Sequence, residues 1–303
     1  MSWLRIIHET TYRYRTAVRF GPHRLVLRPR EGHDVQVENM RLEIAPEFEL
    51  EWSRDVFGNS VATVWFLSPA DRLNIRSEVL LRQTAPFPLR SARPATPVPF
   101  PVAFSALESV VAAAYQATTF PDDVARVKEW MGSVIDLSAV SGAEEAVAAV
   151  ARTIRDAIQY RRRDAKGVQS PGETLAQSSG SCRDMATLML EALRAIGLPA
   201  RFASGYLDCP ASEAGRASTH AWAEAYLPEV GWTGYDPTLG TATSGSHIVT
   251  GVSNHPRGVM PISGTFFDLH GSYLGMTVGV QTKRLAETPH LKPPESDERA
   301  AVM

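Results

Sequence analysis

From residue 3 to residue 84 apolar and polar positions alternate. "LRIIHETTYRYRTAV" and "RLNIRSEVLLRQ" are rich in β-branched and aromatic residues, a pattern that suits half-buried strands. "VENMRLEIAPEFELEWSRDVFGNSVATVWFL" reads as strand, turn, strand, with "FGNS" as the turn between two apolar runs. The pattern predicts a small antiparallel β-sandwich over residues 1–84. Residues 85–101, "APFPLRSARPATPVPFP", are too proline-rich for a ladder or a helix and read as an interdomain linker.

Beyond 102 the period changes. "AFSALESVVAAAYQAT", "PDDVARVKEWMGSV" and "GAEEAVAAVARTIRDAIQY" repeat at helical spacing, the last through Val147, Val150, Ile154 and Ile158. Met185, Leu188, Met189, Ala192 and Ile196 form one apolar stripe that Gly197 and Pro199 end. "ARFASGYLD", "HAWAEAYLP" and "GWTGYDPT" then read as strands. Residues 102–286 are therefore expected to be an α+β domain, helices first and antiparallel strands after. Residues 287–303 are polar and are expected to be a disordered tail.

Composition narrows the function classes. The chain has 303 residues, 44% hydrophobic and 21% charged, with a formal net charge of -2. That fits a folded soluble protein and leaves no basic excess to draw it to nucleic acid or an anionic membrane. The start, "MSWLRIIHETTYRYRTA", lacks an apolar signal core. Two cysteines, Cys182 and Cys209, make no disulfide framework, so a cytoplasmic location is the default expectation.

The chemistry centres on "SSGSCRDMATLMLEALRAIG", residues 178–197. Ser181 or Cys182 opens the helix. Unpaired N–H groups and the helix dipole there stabilise a thiolate and can hold a developing oxyanion. Gly180 allows a sharp turn and a close substrate approach. Cys182 also fits a plain reading as a small core residue. "HAWAEAYL" puts His220, Trp222, Glu224 and Tyr226 on one face of a strand and Ala221, Ala223, Ala225 and Leu227 on the other. A hairpin reversing near Pro228 brings Asp236 beside His220, where a carboxylate can orient an imidazole. Singly, each residue has a structural reading: Asp236 as a turn former before Pro237, Glu224 as a solvated strand residue, Trp222 and Trp232 as core.

Taken together, "GSCRDMATLMLEALRAIGLPARFASGYL" and "THAWAEAYLPEVGWTGYDPT" resemble the core of the transglutaminase-like superfamily. Residues 3–84 resemble the β-rich N-terminal region that accompanies it in a bacterial subgroup. The resemblance implies a papain-like fold with Cys182 as nucleophile, His220 as general base and acid, and Asp236 as its orienting partner. It also implies acyl transfer from amide or peptide bonds. A protease or amidase is expected, with water as acceptor. A protein-glutamine crosslinking transglutaminase, an acyltransferase of the arylamine type and a catalytically silent binding module are the alternatives. Residues 251–264, "GVSNHPRGVMPISG", depart from the Gly-Arg-Asp-Tyr stretch frequent in that subgroup.

Other clusters are weaker. His220, His247, His255 and Cys209 have no CxxC or HxxxH spacing, so no metal and no cofactor are expected. Arg183 and Asp184 read as a local ion pair fixing the first helical turn. The basic run "YRRRDAK", residues 160–166, reads as a solvated helix end that could attract acidic substrates. The N-terminal β region holds no catalytic cluster and is read as a guide for substrate or a surface for a partner protein. The expected substrate is a protein, a peptide or a small amide.

Overall fold

The computed structural model describes residues 2–84, 97–163, 165–208, 219–268, 271–285 and 300–302. One long strand organises the N-terminal part. β1 (Ser2–Leu25) pairs antiparallel along its first half with β5 (Ala70–Gln83) on one side and β14 (Tyr273–Leu285) on the other. Its second half pairs with β4 (Ser60–Phe66) and β13 (Ile262–Phe267). β2 (Val35–Ala45) extends the first ladder and β3 (Phe48–Arg54) the second. Leu4, Ile6, Tyr14, Val18, Phe20 and Leu25 of β1 face one apolar core with Leu42, Ile75, Leu81, Val64 and Val280. The alternation legible in the sequence thus continues through both ladders.

Three boundaries differ from the sequence reading. β13 and β14 close the N-terminal sheets, so residues 102–286 are not a self-contained domain. The reason is that β1 has two edges and the N-terminal residues fill only one of them. Residues 97–101 are not linker either: Val98 and Phe100 pack on the second core, and the Val98 carbonyl accepts from the Ala143 N–H at 2.8 Å. Residues 85–96 lie outside the described residues, as does most of the tail. Within the tail, β15 (Ala300–Val302) pairs with β2.

The second core surrounds α5 (Cys182–Ala195). α1 (Ala106–Gln116), α2 (Val124–Val134), α3 (Ala143–Ala157) and α4 (Pro171–Gln177) lie around it, and an antiparallel sheet completes the shell. That sheet runs β11 (Thr241–Ala242), β10 (Gly231–Asp236), β9 (Thr219–Leu227), β8 (Ala200–Leu207), β12 (His247–Ser253). The sequence suggests an amphipathic α5, but Ala186, Leu190 and Leu193, off the apolar stripe, are buried too. Even Glu191 and Arg194 are buried, paired at 2.7 Å. Arg194 donates to the carbonyls of Tyr115, Ala200 and Asn254, and Glu191 accepts from Thr118 and Thr119. Polar residues survive in this helix because they pair with each other and with neighbouring segments. Ala221, Ala223, Ala225 and Leu227 are in the core with α5, the small face keeping strand and helix close.

The two halves interlock. Asn59, fully buried, donates to the Val252 carbonyl at 2.8 Å and accepts from the Val252 N–H at 2.9 Å, as a neighbouring strand would. Phe57 of the same "FGNS" turn packs against the cluster of Ala203, Trp222 and Val252. His8 of β1 meets the hydroxyl of Tyr206 of β8 at 3.1 Å.

Candidate active site

Cys182 is the first residue of α5. The N–H groups of Cys182 and Arg183 point out of the first turn with no helical carbonyl to bond. The turn is held from below by Asp184, whose side chain is wholly buried. Its carboxylate accepts from the Ser181 N–H at 2.8 Å, the Ser181 hydroxyl at 2.7 Å, the Gln169 N–H at 2.7 Å and Arg163 Nη1 at 2.8 Å. Ser181 and Asp184 are therefore engaged with each other and fix the backbone at Cys182. The expected Arg183–Asp184 pair does not form. Arg163 takes Asp184, and Arg183 donates to the carbonyls of Arg163 and Ala165. Successive residues on a helix do not face each other, so each finds its partner elsewhere. Gly180 is explained by the same cluster. A Cβ there would lie 2.8 Å from Asp184 Cβ and 3.0 Å from Gln169 Oε1, so the close approach is internal rather than to substrate.

The basic run is likewise not a solvated helix end. α3 stops at Ala157, and β6 (Gln159–Tyr160) pairs in parallel with β7 (Ser179–Gly180). Arg163 is paired with Asp184, while Arg161 and Arg162 are exposed.

His220 and Asp236 meet as the hairpin suggests, displaced by two residues along the strand. β9 and β10 pair Tyr235 with Ala223, so Asp236 lies diagonal to His220 on the same face. His220 Nε2 and Asp236 Oδ2 are 2.6 Å apart. Nδ1 is then left for the hydrogen bond between His220 and Cys182. Burial by itself lowers the His220 pKa. The hydrogen bonds and charges of Asp236 and Cys182 outweigh it and raise the pKa to about 10. Burial likewise works against the Asp236 carboxylate, but His220, His247 and Thr238 hold its pKa well below the usual range. The Thr238 N–H and hydroxyl bind Oδ1 at 2.8 and 2.7 Å.

His247 is the residue that sequence reasoning placed only in a rejected metal set. Its Nε2 lies 3.2 Å from Asp236 Oδ2. Its Nδ1 accepts from the Ser244 N–H at 3.2 Å, so Nε2 carries the proton and donates. The donor atoms of His220, Asp236 and His247 lie within 4.8 Å of one another. Two hydrogen bonds to Asp236 Oδ2, at 2.6 Å from His220 and 3.2 Å from His247, hold the three together. His255 is elsewhere, stacked on Phe120, and Cys209 lies outside the described residues.

The aromatic and acidic candidates have other work. Trp222, 1% exposed, packs edge-on against His247 and beneath His220. Gly205 makes room for it: a Cβ there would be 2.9 Å from the indole and 2.0 Å from the Ile248 carbonyl. Glu224 is buried, not solvated, and paired with Arg201 across the strands at 2.7 Å. Arg201 also lies 4.1 Å over the Trp232 ring. Glu224 and Trp232 therefore stabilise the sheet and carry no reacting group.

A cysteine at a helix start is thus linked through His220 to a buried aspartate. Residues 135–237 match the family described as "Transglutaminase-like superfamily", and residues 4–82 match "Bacterial transglutaminase-like N-terminal region". The chain belongs to the transglutaminase-like superfamily. Among its relatives, an uncharacterized protein of Mycobacterium leprae is 27% identical, covering 87% of this chain and 92% of the relative. A protein-glutamine gamma-glutamyltransferase of Pseudomonas aeruginosa is 40% identical over 70 residues, 21% of this chain and 10% of that protein. A candidate cysteine protease of Cytophaga hutchinsonii has the same fold, with TM-score 0.71 at 14% identity over 99% of this chain and 96% of its own. The transglutaminase-like core is thus an α+β unit preceded by an antiparallel β region.

Proposed function

We propose that the protein is a cysteine-dependent acyl-transfer enzyme acting on amide or peptide bonds, with water as the acceptor. The observation that carries this is His220 joined to both Cys182 and buried Asp236. An imidazole protonated below about pH 10 beside a thiol supports a thiolate–imidazolium pair. The thiolate adds to the carbonyl carbon, and the helix-start N–H groups donate hydrogen bonds to the developing oxyanion. His220 then gives its Nδ1 proton to the leaving amine, and an acyl-thioester remains on Cys182. Neutral His220 next takes a proton from the attacking water, the acid–base reversal that Asp236 supports by stabilising the imidazolium.

A second reading, transfer to an amine as in glutamine crosslinking, is favoured by the local identity to the gamma-glutamyltransferase. One experiment separates the two. The purified protein is incubated with peptide-derived electrophiles and with acyl donors in the presence of a fluorescent primary amine. We expect covalent mass added at Cys182, hydrolysed product in excess of amine adduct, and neither with Cys182→Ala. Turnover by Cys182→Ala would overturn acyl transfer through Cys182. A predominant amine adduct would turn the assignment to a transferase.

A further inference from the structure

The border strands of the N-terminal sheets differ in charge. β2 carries Glu38, Arg41 and Glu43, and β15 pairs with part of its outer side. β3 carries Glu49, Glu51 and Arg54. Charges spaced along an edge strand oppose pairing with another chain. β14 lacks them: no residue from Tyr273 to Thr282 is charged. Among the described residues it pairs only with β1, so its outer row of N–H and C=O groups has no ladder partner. Its apolar side chains are uncovered as well. Met276, Val278 and Val280 lie opposite Tyr12, Thr10 and His8, on the core side of the sheet. Val280 is in the core, but Val278 is 42% and Met276 48% exposed. Tyr273 and Leu274 are exposed too, and across the turn at 268–272 Phe266 and Phe267 of β13 extend the patch, Phe266 stacked on Tyr273. The two ends of β14 carry opposite charges. Lys283 is exposed near the C-terminal end. Asp268 precedes the N-terminal end, where its carboxylate accepts from the Ser272 N–H.

We propose that β14 pairs antiparallel with β14 of a second copy of this chain, joining the two N-terminal sheets across a two-fold axis. Opposite ends then meet. Lys283 of each copy comes to the Asp268 turn of the other, and the axis repeats the contact. Centred on Thr277, the pairing sets Met276 beside Val278 of the second copy, so that their exposed faces cover each other. It also sets Gly275 beside Gly279, where no side chain intrudes. A parallel arrangement would oppose Lys283 with Lys283 and Arg284 with Arg284, like charges side by side. This match of the strand with itself, in apolar pattern and in charge, selects a second copy as the occupant. The strand's outer N–H and C=O groups gain partners in the same step, as in any added strand.

Sedimentation velocity over a dilution series of the full chain reads the oligomeric state, with thermal melting as a check on folding. We expect wild type to sediment as a reversible dimer and Val278→Lys as a monomer that still melts cooperatively. Met276→Lys, at the other exposed position, repeats the test should Val278→Lys fail to fold. Lys283→Glu should raise the dimer Kd on the order of tenfold, because it sets like charges together at both ends. A wild type that stays monomeric throughout overturns the proposal, and its flotation with phosphatidylcholine vesicles would assign the strand to a lipid surface instead. A dimer that persists in both lysine variants overturns it as well, because the interface then lies elsewhere. A dimer lost in the lysine variants but indifferent to Lys283→Glu overturns the antiparallel arrangement.

Discussion

His8 and His220 are both withdrawn from water, yet at neutral pH the first is neutral and the second positively charged. His8 is 2% exposed and the His220 side chain 11%. His8 is bonded to two hydroxyls, those of Tyr206 and Thr10, each at 3.1 Å. Burial lowers its pKa to about 4. His220 is bonded to a carboxylate and a thiol, and its pKa rises to about 10. Burial penalises the imidazolium in both; only a neighbouring negative charge reverses the sign. Two strands carry the contrast. Tyr206, the partner of His8, follows Gly205, which pairs with His220 across β8 and β9. One histidine fastens the sheets together in neutral form, and the other is poised to give a proton.

The largest way to break the contrast is to remove the charge. Asp236→Asn should make His220 resemble His8: buried, with a neutral partner and a lowered pKa. We expect kcat to fall on the order of 10²- to 10⁴-fold, by analogy with the aspartate of serine-protease triads. The alkaline limb of the kcat–pH profile, near pH 10 in wild type, should move down. An unchanged profile in a well-folded Asp236→Asn protein would remove Asp236 from the triad.

The next effect is on stability. The folded-state pKa of His8 lies below its unfolded value of 6.5. The unfolded chain therefore binds the extra proton between about pH 6.5 and 4, and the stability His8 permits is full above that window and lost as pH falls through it. The loss amounts to about 3 kcal/mol, from a shift of about 2.5 units at 1.36 kcal/mol each. His220 has the opposite sign: its contribution is full below pH 6.5 and lost as pH rises toward about 10. Denaturant unfolding from pH 4 to 10 checks both. His8→Gln should flatten the acid side and His220→Gln the alkaline side. An acid slope that survives in His8→Gln would assign it to the carboxylates.

The smallest effect sharpens the comparison. His247→Phe removes one of the donors to Asp236 but leaves its charge and its bond to His220. We expect kcat to fall about tenfold with KM unchanged, the scale of one hydrogen bond to a charged group. A collapse of activity as deep as that of Asp236→Asn would mean that His247 touches the reacting atoms.

These residues also divide by how legible they are. Cys182, His220 and Asp236 fall inside two continuous segments, each with its own helix or hairpin signal, so local periodicity brings them together. Arg163 could not be matched to Asp184 because a strand and a helix intervene, and a basic run has no local reason to send its third arginine inward. The His8–Tyr206 bond spans 198 residues, and no pattern announces it. His247 was visible as a histidine, but its partner was hidden by the turn at Ser244, whose N–H fixes the ring. Glu224 looked solvent-facing because alternation marks a face and does not say what covers it. The β-sandwich pattern of residues 1–84 was clear, whereas the strands that finish it are more than 170 residues downstream.

That last arrangement bears on how the chain is made. β14 pairs with β1 from Trp3 with Leu285 to Tyr14 with Tyr273. A ribosome releases the first strand long before its second neighbour exists, so one edge of β1 stays open through most of synthesis. Closing it is among the most distant pairings that a chain of this length permits, and such contacts form slowly. The Cys182 helix and the histidine hairpin can meanwhile form from nearby residues. The nascent protein would then carry its reactive sulfur before its scaffold is closed, with an apolar strand edge exposed to other chains until residue 285 emerges.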